Sequence, residues 1–144
     1  MDSAFTYLPS DAPLRSTLDP GIYVEPKDKG PASEGERQAT YIAYMRRCEK
    51  HVLAHAVTNA AKRTRWVAAK VKREGLYTGW PDTEAHWNRG HGLIEFKNGT
   101  AMPDQDQISV LNRLHEMGHN VAVCRTMEGA VRWLRSVGAP LTAR

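Results

Sequence analysis

The stretch that decides the fold reads Gly92-Leu93-Ile94-Glu95-Phe96-Lys97, and it follows the segment Gly79-Trp80-Pro81-Asp82 by the length of a β-hairpin. Side chains alternate between the two faces of a strand, so Glu95 and Lys97 share one face while the apolar residues beside them point into the opposite layer. An unpaired ion inside a hydrophobic strand costs on the order of several kcal/mol unless a partner or a metal compensates it. Asp82 is the third residue that we expect beside this pair.

The composition is that of one globular domain with an additional tail. The chain has 144 residues, of which 41% are hydrophobic and 25% charged, enough for a single core. No apolar stretch is long enough to cross a bilayer, and residues 1–5 lack the features of a signal peptide, so we expect a cytoplasmic protein without membrane association. Two cysteines, Cys48 and Cys124, are too few for a disulfide scaffold and are expected to be small buried apolar residues.

Charge is distributed unevenly along the chain. Residues 1–31 contain five acids and three bases, whereas the remaining residues contain eleven acids and seventeen bases. The folded part is therefore basic, which suits a polyanionic partner such as nucleic acid. The same excess is common among ordinary soluble proteins, so it does not by itself identify the partner.

The first part of the chain is rich in proline. Five of the eight prolines lie at or before position 31, where they interrupt helices and strands every few residues. We therefore interpret residues 1–31 as an arm or linker and residues 32–144 as the folded domain. Within the arm, Gly21-Ile22-Tyr23-Val24 fits a short edge strand on the same or a neighbouring subunit, and a loosely ordered tail is the alternative.

Helices and strands alternate in the domain. Ser33, with Glu36 three places on, forms a capping box that begins a helix running to about Lys50. Thr126 begins the last helix, which stops at Gly138. Between them we predict strands at about residues 52–57, 82–87, 93–97 and 121–124, and helices at about residues 58–75 and 104–117. The order αβαββαβα predicts an α/β fold, in which one mixed central sheet of about four strands is flanked by helices.

Several segments between about residues 33 and 137 agree with one known pattern. They are Ser33-Glu34 with Gln38, Val57-Thr58-Asn59, Lys72-Arg73-Glu74-Gly75, Gly79-Trp80-Pro81-Asp82, Glu95-Phe96-Lys97, and Gln107 followed by Leu111, Leu114 and Gly118. With them, the chain resembles a VRR-NUC domain, a branch of the PD-(D/E)xK nuclease superfamily that is related to restriction endonucleases and archaeal Holliday-junction resolvases. The resemblance implies a restriction endonuclease-like fold and a metal-dependent endonuclease that hydrolyses DNA phosphodiester bonds.

The resemblance also assigns roles to residues. Asp82 and Glu95, joined by the backbone carbonyl of Phe96, are expected to bind Mg²⁺ or Mn²⁺, with Glu34 contributing through water. Oxygen ligands of this kind are what hard divalent ions prefer. Lys97 is expected to position or deprotonate the attacking water and to offset charge on the phosphorane. A glutamine on the following helix, Gln107 or its competitor Gln105, is expected to fix Lys97 or a phosphate.

Each of these residues also has a purely structural interpretation. Glu95 and Lys97 alone are compatible with a solvated pair on an exposed strand. Glu34 suits a helix N-terminus, where acids are favoured in any case. Gln107 is equally compatible with a satisfied amide at the edge of the core. The combination of these residues with Asp82 favours the catalytic interpretation.

Basic residues suggest a surface for DNA. Lys62, Arg65, Lys72 and Arg73 fall along one side of the second helix, and Arg89 lies at the hairpin turn with His86, Trp87 and His91. The basic stripe is either a phosphate-contacting surface or a solvated face, and the turn residues either reach a groove or pack the turn. Domains similar to this one occur in bacteria and their viruses, and some act as dimers on four-way junctions. The resemblance therefore implies a homodimer and a branched substrate.

Two other functions are compatible with the sequence. The domain is either active or a nucleic-acid-binding or assembly module that kept the nuclease fold without turnover. His115-Glu116-Met117-Gly118-His119 also matches the zinc-protease signature, in which two histidines one helical turn apart bind zinc. Gly118 falls where the helix should end, and only Glu128 follows as a third ligand, so this function is disfavoured.

Overall fold

The computed structural model describes residues 17–57 and 65–142. From Glu34 onward the elements follow the predicted order, and one further strand precedes them. No helix in the described part of the chain is long and apolar enough to cross a membrane. The elements are β1 (Tyr23–Val24), α1 (Glu34–Cys48), β2 (Leu53–Ala56), α2 (Arg65–Arg73), β3 (Thr83–Trp87), β4 (Gly90–Phe96), α3 (Gln105–Glu116), β5 (Val121–Cys124) and α4 (Met127–Ser136).

A mixed five-stranded sheet forms the centre of the molecule, in the order β1-β5-β4-β3-β2. The β1, β5 and β4 strands are parallel neighbours, whereas β4, β3 and β2 pair in antiparallel fashion. The sheet thus has one strand more than the approximate four predicted from the sequence. The additional strand is β1, which docks on β5 of the same chain, with Tyr23 opposite Ala122. The division of the chain into an arm and a domain near residue 31 stays a prediction.

Alternating strand residues create two apolar layers. Ile94 and Phe96 of β4 belong to a core shared with α1 and α4, which contribute Tyr41, Met45 and Leu134. On the other face, the core contains residues of β4, β5 and α3, namely Leu93, Val121, Val123, Leu111 and Leu114. Because Glu95 and Lys97 alternate with the first layer, they lie on the face that α3 covers. Both cysteines are free, with Cys124 buried and Cys48 half-buried.

Local caps fix where the helices begin. The Ser33 hydroxyl accepts a hydrogen bond from the Glu36 backbone N–H and donates one to the Glu36 carboxylate, so Ser33 is the N-cap and α1 begins at Glu34, as the sequence predicted. The side chains of Asp104 and Thr126 cap α3 and α4 in the same way. These caps determine which residue occupies the first turn of each helix, and two of those residues, Glu34 and Gln107, lie at the site described next.

Candidate active site

The β3–β4 hairpin brings Asp82 beside the end of β4. Asp82 immediately precedes β3, and Thr83 pairs with Ile94 across the hairpin. The buried Asp82 carboxylate accepts a hydrogen bond of 2.9 Å from the backbone N–H of Phe96, and its own backbone carbonyl accepts one from Val57. Both bonds fix the carboxylate between β2 and β4.

Glu95 is the most deeply buried acid of the site, with no exposed surface. Its Oε2 accepts a hydrogen bond of 3.0 Å from the Gln107 side-chain amide, whereas its Oε1 is buried without a hydrogen-bond partner among the described residues. Burial, reinforced by the charge of Asp82, raises the pKa of Glu95 to about 10, although Lys97 acts in the opposite direction. A buried carboxylate oxygen with nothing to bind is costly, and a cation or a proton satisfies it.

Lys97 lies between two carboxylates. Its Nζ is 3.8 Å from Glu95 Oε2 and 3.8 Å from Glu34 Oε2, and only 10% of its side chain is exposed. Glu34 reaches the site from the first turn of α1 and keeps 29% of its side chain exposed. One oxygen each of Glu34, Asp82 and Glu95 lie within 4.8 Å of one another. The cluster thus contains three acids and one lysine, so ionisation of all three acids, which a bound divalent cation favours, leaves negative charge in excess.

The α3 capping box aims Gln107 at the site. The Gln107 backbone N–H donates to Asp104 Oδ1, and the Gln107 side-chain oxygen accepts from the Asp104 backbone N–H. With its oxygen used in the cap, the amide nitrogen is directed at Glu95. Gln105 begins the helix and is exposed. Of the two glutamines that the sequence left open, Gln107 contacts the acids, and its partner is Glu95.

The structure thus brings together Glu34, Asp82, Glu95, Lys97 and Gln107, but not every predicted DNA contact. Arg89 is exposed in the turn at the opposite end of the hairpin from Asp82 and adopts a φ of 69°. Arg73 is exposed at the end of α2. Lys62 lies outside the described residues, as do the side chains of Arg65 and Lys72. Contact of these residues with DNA stays a prediction, as does metal binding by the Phe96 carbonyl.

The zinc-protease signature is not assembled. Helix α3 ends at Glu116, and Gly118 adopts a left-handed φ of 92°, so the helix does not continue to His119. His115 lies 3.5 Å from Asp19, whereas His119 contacts His91 at 3.0 Å. The two histidines therefore have separate partners instead of one shared ion.

One polar cluster next to the site was missed in the sequence. Glu84 Oε2 accepts a hydrogen bond of 2.9 Å from the Trp80 indole, and Glu84 Oε1 lies near His55 and His86. Alternation along β3 placed Asp82, Glu84 and His86 on one face, and this signal was present in the sequence. The position of His55 was not, because it depends on the register between β2 and β3.

Comparison with known proteins supports the architecture. No family model and no curated protein matches the sequence. A solved structure described as a "VRR_NUC domain protein" matches with a TM-score of 0.59 and 22% sequence identity, covering 76% of this chain and 89% of that chain. At this identity the likeness shows the fold. It confirms the mixed α/β, restriction endonuclease-like architecture that the resemblance implied.

Proposed function

We propose that this chain is a VRR-NUC-type endonuclease that uses Mg²⁺ or Mn²⁺ to hydrolyse DNA phosphodiester bonds. The observation that carries the proposal is the convergence of Asp82, Glu95 and Lys97 in one buried cluster. The fold of the VRR_NUC domain neighbour supports the same class of protein.

The residues of the cluster fit a hard divalent cation. Asp82 and Glu95 would hold the ion, with the Phe96 carbonyl as a third ligand and Glu34 acting through water. The unpartnered Glu95 Oε1 is the observation that favours a cation here, because this buried oxygen accepts no hydrogen bond from the described residues and needs a cation or a proton instead. A bound divalent ion supplies Lewis acidity toward a phosphate oxygen and lowers the pKa of water.

Two side chains of the cluster would orient the metal ligands and neutralise the charge that develops on the phosphate. Gln107 holds Glu95 Oε2 in place through its capped amide, while Oε1 accepts no hydrogen bond from the described residues. Lys97 is held by Glu34 and Glu95, so its ammonium group is positioned without needing substrate to order it. A fixed positive charge beside a phosphate stabilises the negative charge that develops during in-line displacement.

A cleavage assay tests the proposal. Wild-type protein is incubated with linear, single-stranded, flapped and four-way DNA in Mn²⁺, in Mg²⁺ and in EDTA. We expect metal-dependent cleavage, reduced at least about 100-fold in Lys97→Ala because the transition-state charge loses its counter-ion. Lys50→Ala changes an exposed lysine outside the cluster and should cleave normally.

Failure of the wild type on every substrate would contradict the nuclease proposal. DNA binding that persists in Lys97→Ala, without cleavage by the wild type, would instead identify an inactive nucleic-acid-binding module. Selectivity for branched DNA and a homodimer are finer parts of the proposal, since two copies related by a two-fold axis suit a symmetric junction. Preference among the four substrates and the mass in solution test these two points separately.

A further inference from the structure

Three side chains of metal-ligating type converge on the edge strand β2 and its neighbour β3, outside the acidic cluster of Glu34, Asp82 and Glu95. His55 of β2 lies directly opposite Glu84 of β3, and His86 follows Glu84 by two residues on the same strand face. One ligand atom from each lies within 4.8 Å of the other two. We propose that His55, Glu84 and His86 form a second metal site, which takes a borderline divalent transition ion such as Zn²⁺. This site goes beyond the proposed nuclease function.

The distances suit such an ion. Glu84 Oε1 is 3.0 Å from His86 Nε2 and 3.6 Å from His55 Nε2. Ligands at about 2.0–2.1 Å around a tetrahedral zinc are separated by about 3.4 Å, so small side-chain shifts would bring all three into coordination. Two imidazoles and one carboxylate leave the fourth position for water, which is available because about half of each histidine side chain is exposed.

Hydrogen bonds to the far side of His55 and Glu84 leave one atom of each side chain free to bind the ion. His55 Nδ1 lies 3.1 Å from the Ala56 carbonyl, which is able only to accept, so the Nδ1 nitrogen carries the proton and Nε2 keeps its lone pair. The Trp80 indole donates to Glu84 Oε2, which leaves Oε1 for the ion. Metal-binding histidines and carboxylates in proteins are oriented by partners of this kind.

The type of ligand distinguishes the ion that this site prefers from the ion that the acidic cluster of Glu34, Asp82 and Glu95 prefers. Imidazole nitrogens favour Zn²⁺, Co²⁺, Ni²⁺ and Cu²⁺, whereas an all-oxygen set favours Mg²⁺ and Mn²⁺. An ion here would link β2 to β3 and would fix Glu84, which lies two residues from Asp82. Through Glu84 it would also hold Trp80, on the other side of Asp82. The ion would thus brace the segment that presents a candidate catalytic acid.

Zinc titration of tag-free, chelator-treated protein tests the proposal, in the presence of excess Mg²⁺ to occupy the acidic cluster. We expect one equivalent of Zn²⁺ to bind wild type with a dissociation constant in the micromolar range or tighter. His55→Ala/His86→Ala should weaken binding about 100-fold or more, and Trp80→Phe about tenfold. His51→Ala removes an exposed histidine just before β2 and should leave binding unchanged.

Two further measurements keep the result interpretable. Co²⁺ in place of Zn²⁺ should give visible d–d absorption in wild type and in Asp82→Asn, but not in the double histidine variant. His86→Ala alone replaces a side chain that is about half exposed, so this single variant takes the place of the double variant in the zinc titration if the double variant fails to fold. Equal zinc affinity in wild type and His86→Ala would overturn the proposal. So would zinc binding that Asp82→Asn abolishes, or wild-type binding only at millimolar zinc.

Discussion

A single carboxyl group, Glu95, dominates the electrostatics of the candidate active site. It is buried beside Asp82, and only Lys97 offsets the charge that ionisation would add. Without a divalent ion, a proton is the remaining means of neutralising it. The same residue therefore links stability, pH and metal binding, because an ion that binds Glu95 must displace that proton.

Stability in EDTA should fall as the pH rises. The pKa of Glu95 is about 10 in the folded protein and about 4.3 in an unfolded chain, so the folded state binds the extra proton between these values. The stabilising contribution is therefore complete below about pH 4.3 and is lost as the pH rises toward about 10. Urea unfolding of wild type and Glu95→Gln at pH 6, 7, 8 and 9 measures the difference.

The comparison of wild type with Glu95→Gln separates the titration of the Glu95 carboxyl from that of every other group. We expect the wild type to lose up to about 1.4 kcal/mol per pH unit relative to Glu95→Gln. Glu128→Gln, at an exposed position of α4, should follow the wild type. Parallel pH profiles for wild type and Glu95→Gln would show that Glu95 is ionised in the metal-free fold.

At the level of elements, α3 connects its own cap to the chemistry of the sheet. Gln107 uses its oxygen in the capping box and its nitrogen on Glu95, so one side chain serves both the helix and the site. Gln107→Ala should lower the free energy of unfolding by about 2–4 kcal/mol, because it removes a cap bond and leaves a second buried Glu95 oxygen without a donor. Chemical denaturation at neutral pH measures the loss.

Gln105→Ala is the matched control on the same helix. Gln105 is exposed in the first turn, so its replacement should change stability by no more than about 0.5 kcal/mol. Combining Gln107→Ala with Glu95→Gln should cost less than the sum of the single changes, since the two side chains share one hydrogen bond. Equal losses for the two glutamine variants would contradict the assignment of Gln107 to the site.

The elements also show which parts of the structure were predictable. Caps are local signals, so α1 begins where Ser33 and Glu36 indicate, and the short apolar strand β5 has its predicted bounds. Strand pairing between segments that are far apart in the sequence leaves no such local signal. The parallel contact of β1 with β5 and the placement of His55 opposite Glu84 depend on sheet order and register. The choice of Gln107 over Gln105 required the capped geometry of α3.

Across the whole molecule, Arg125 joins the segment before α1 to the loop that follows Lys97. It is the largest fully buried side chain among the described residues, and its guanidinium donates to the backbone carbonyls of Glu25, Asn98 and Ala101. Glu25 in turn accepts hydrogen bonds from the backbone N–H of Arg125 and from Thr126. The described end of the proline-rich segment is therefore integrated into the fold and supports the connection between β4 and α3.

Replacing Arg125 should weaken both stability and this connection. Arg125→Met keeps much of the side-chain volume but leaves three carbonyls without a donor, so we expect a loss of about 3–5 kcal/mol in the free energy of unfolding. Arg46→Met, at an exposed position in the last turn of α1, should lower the free energy of unfolding by only about 0.3 kcal/mol. Urea denaturation measures both losses, and hydrogen exchange at residues 98–102 reports on the loop directly.

Because the Arg125 guanidinium donates to the carbonyls of Asn98 and Ala101, hydrogen exchange at residues 98–102 of Arg125→Met should accelerate more than in the core strands. Uniform acceleration across the sheet, or a loss below about 1 kcal/mol, would contradict the role of Arg125 as the link between the two segments.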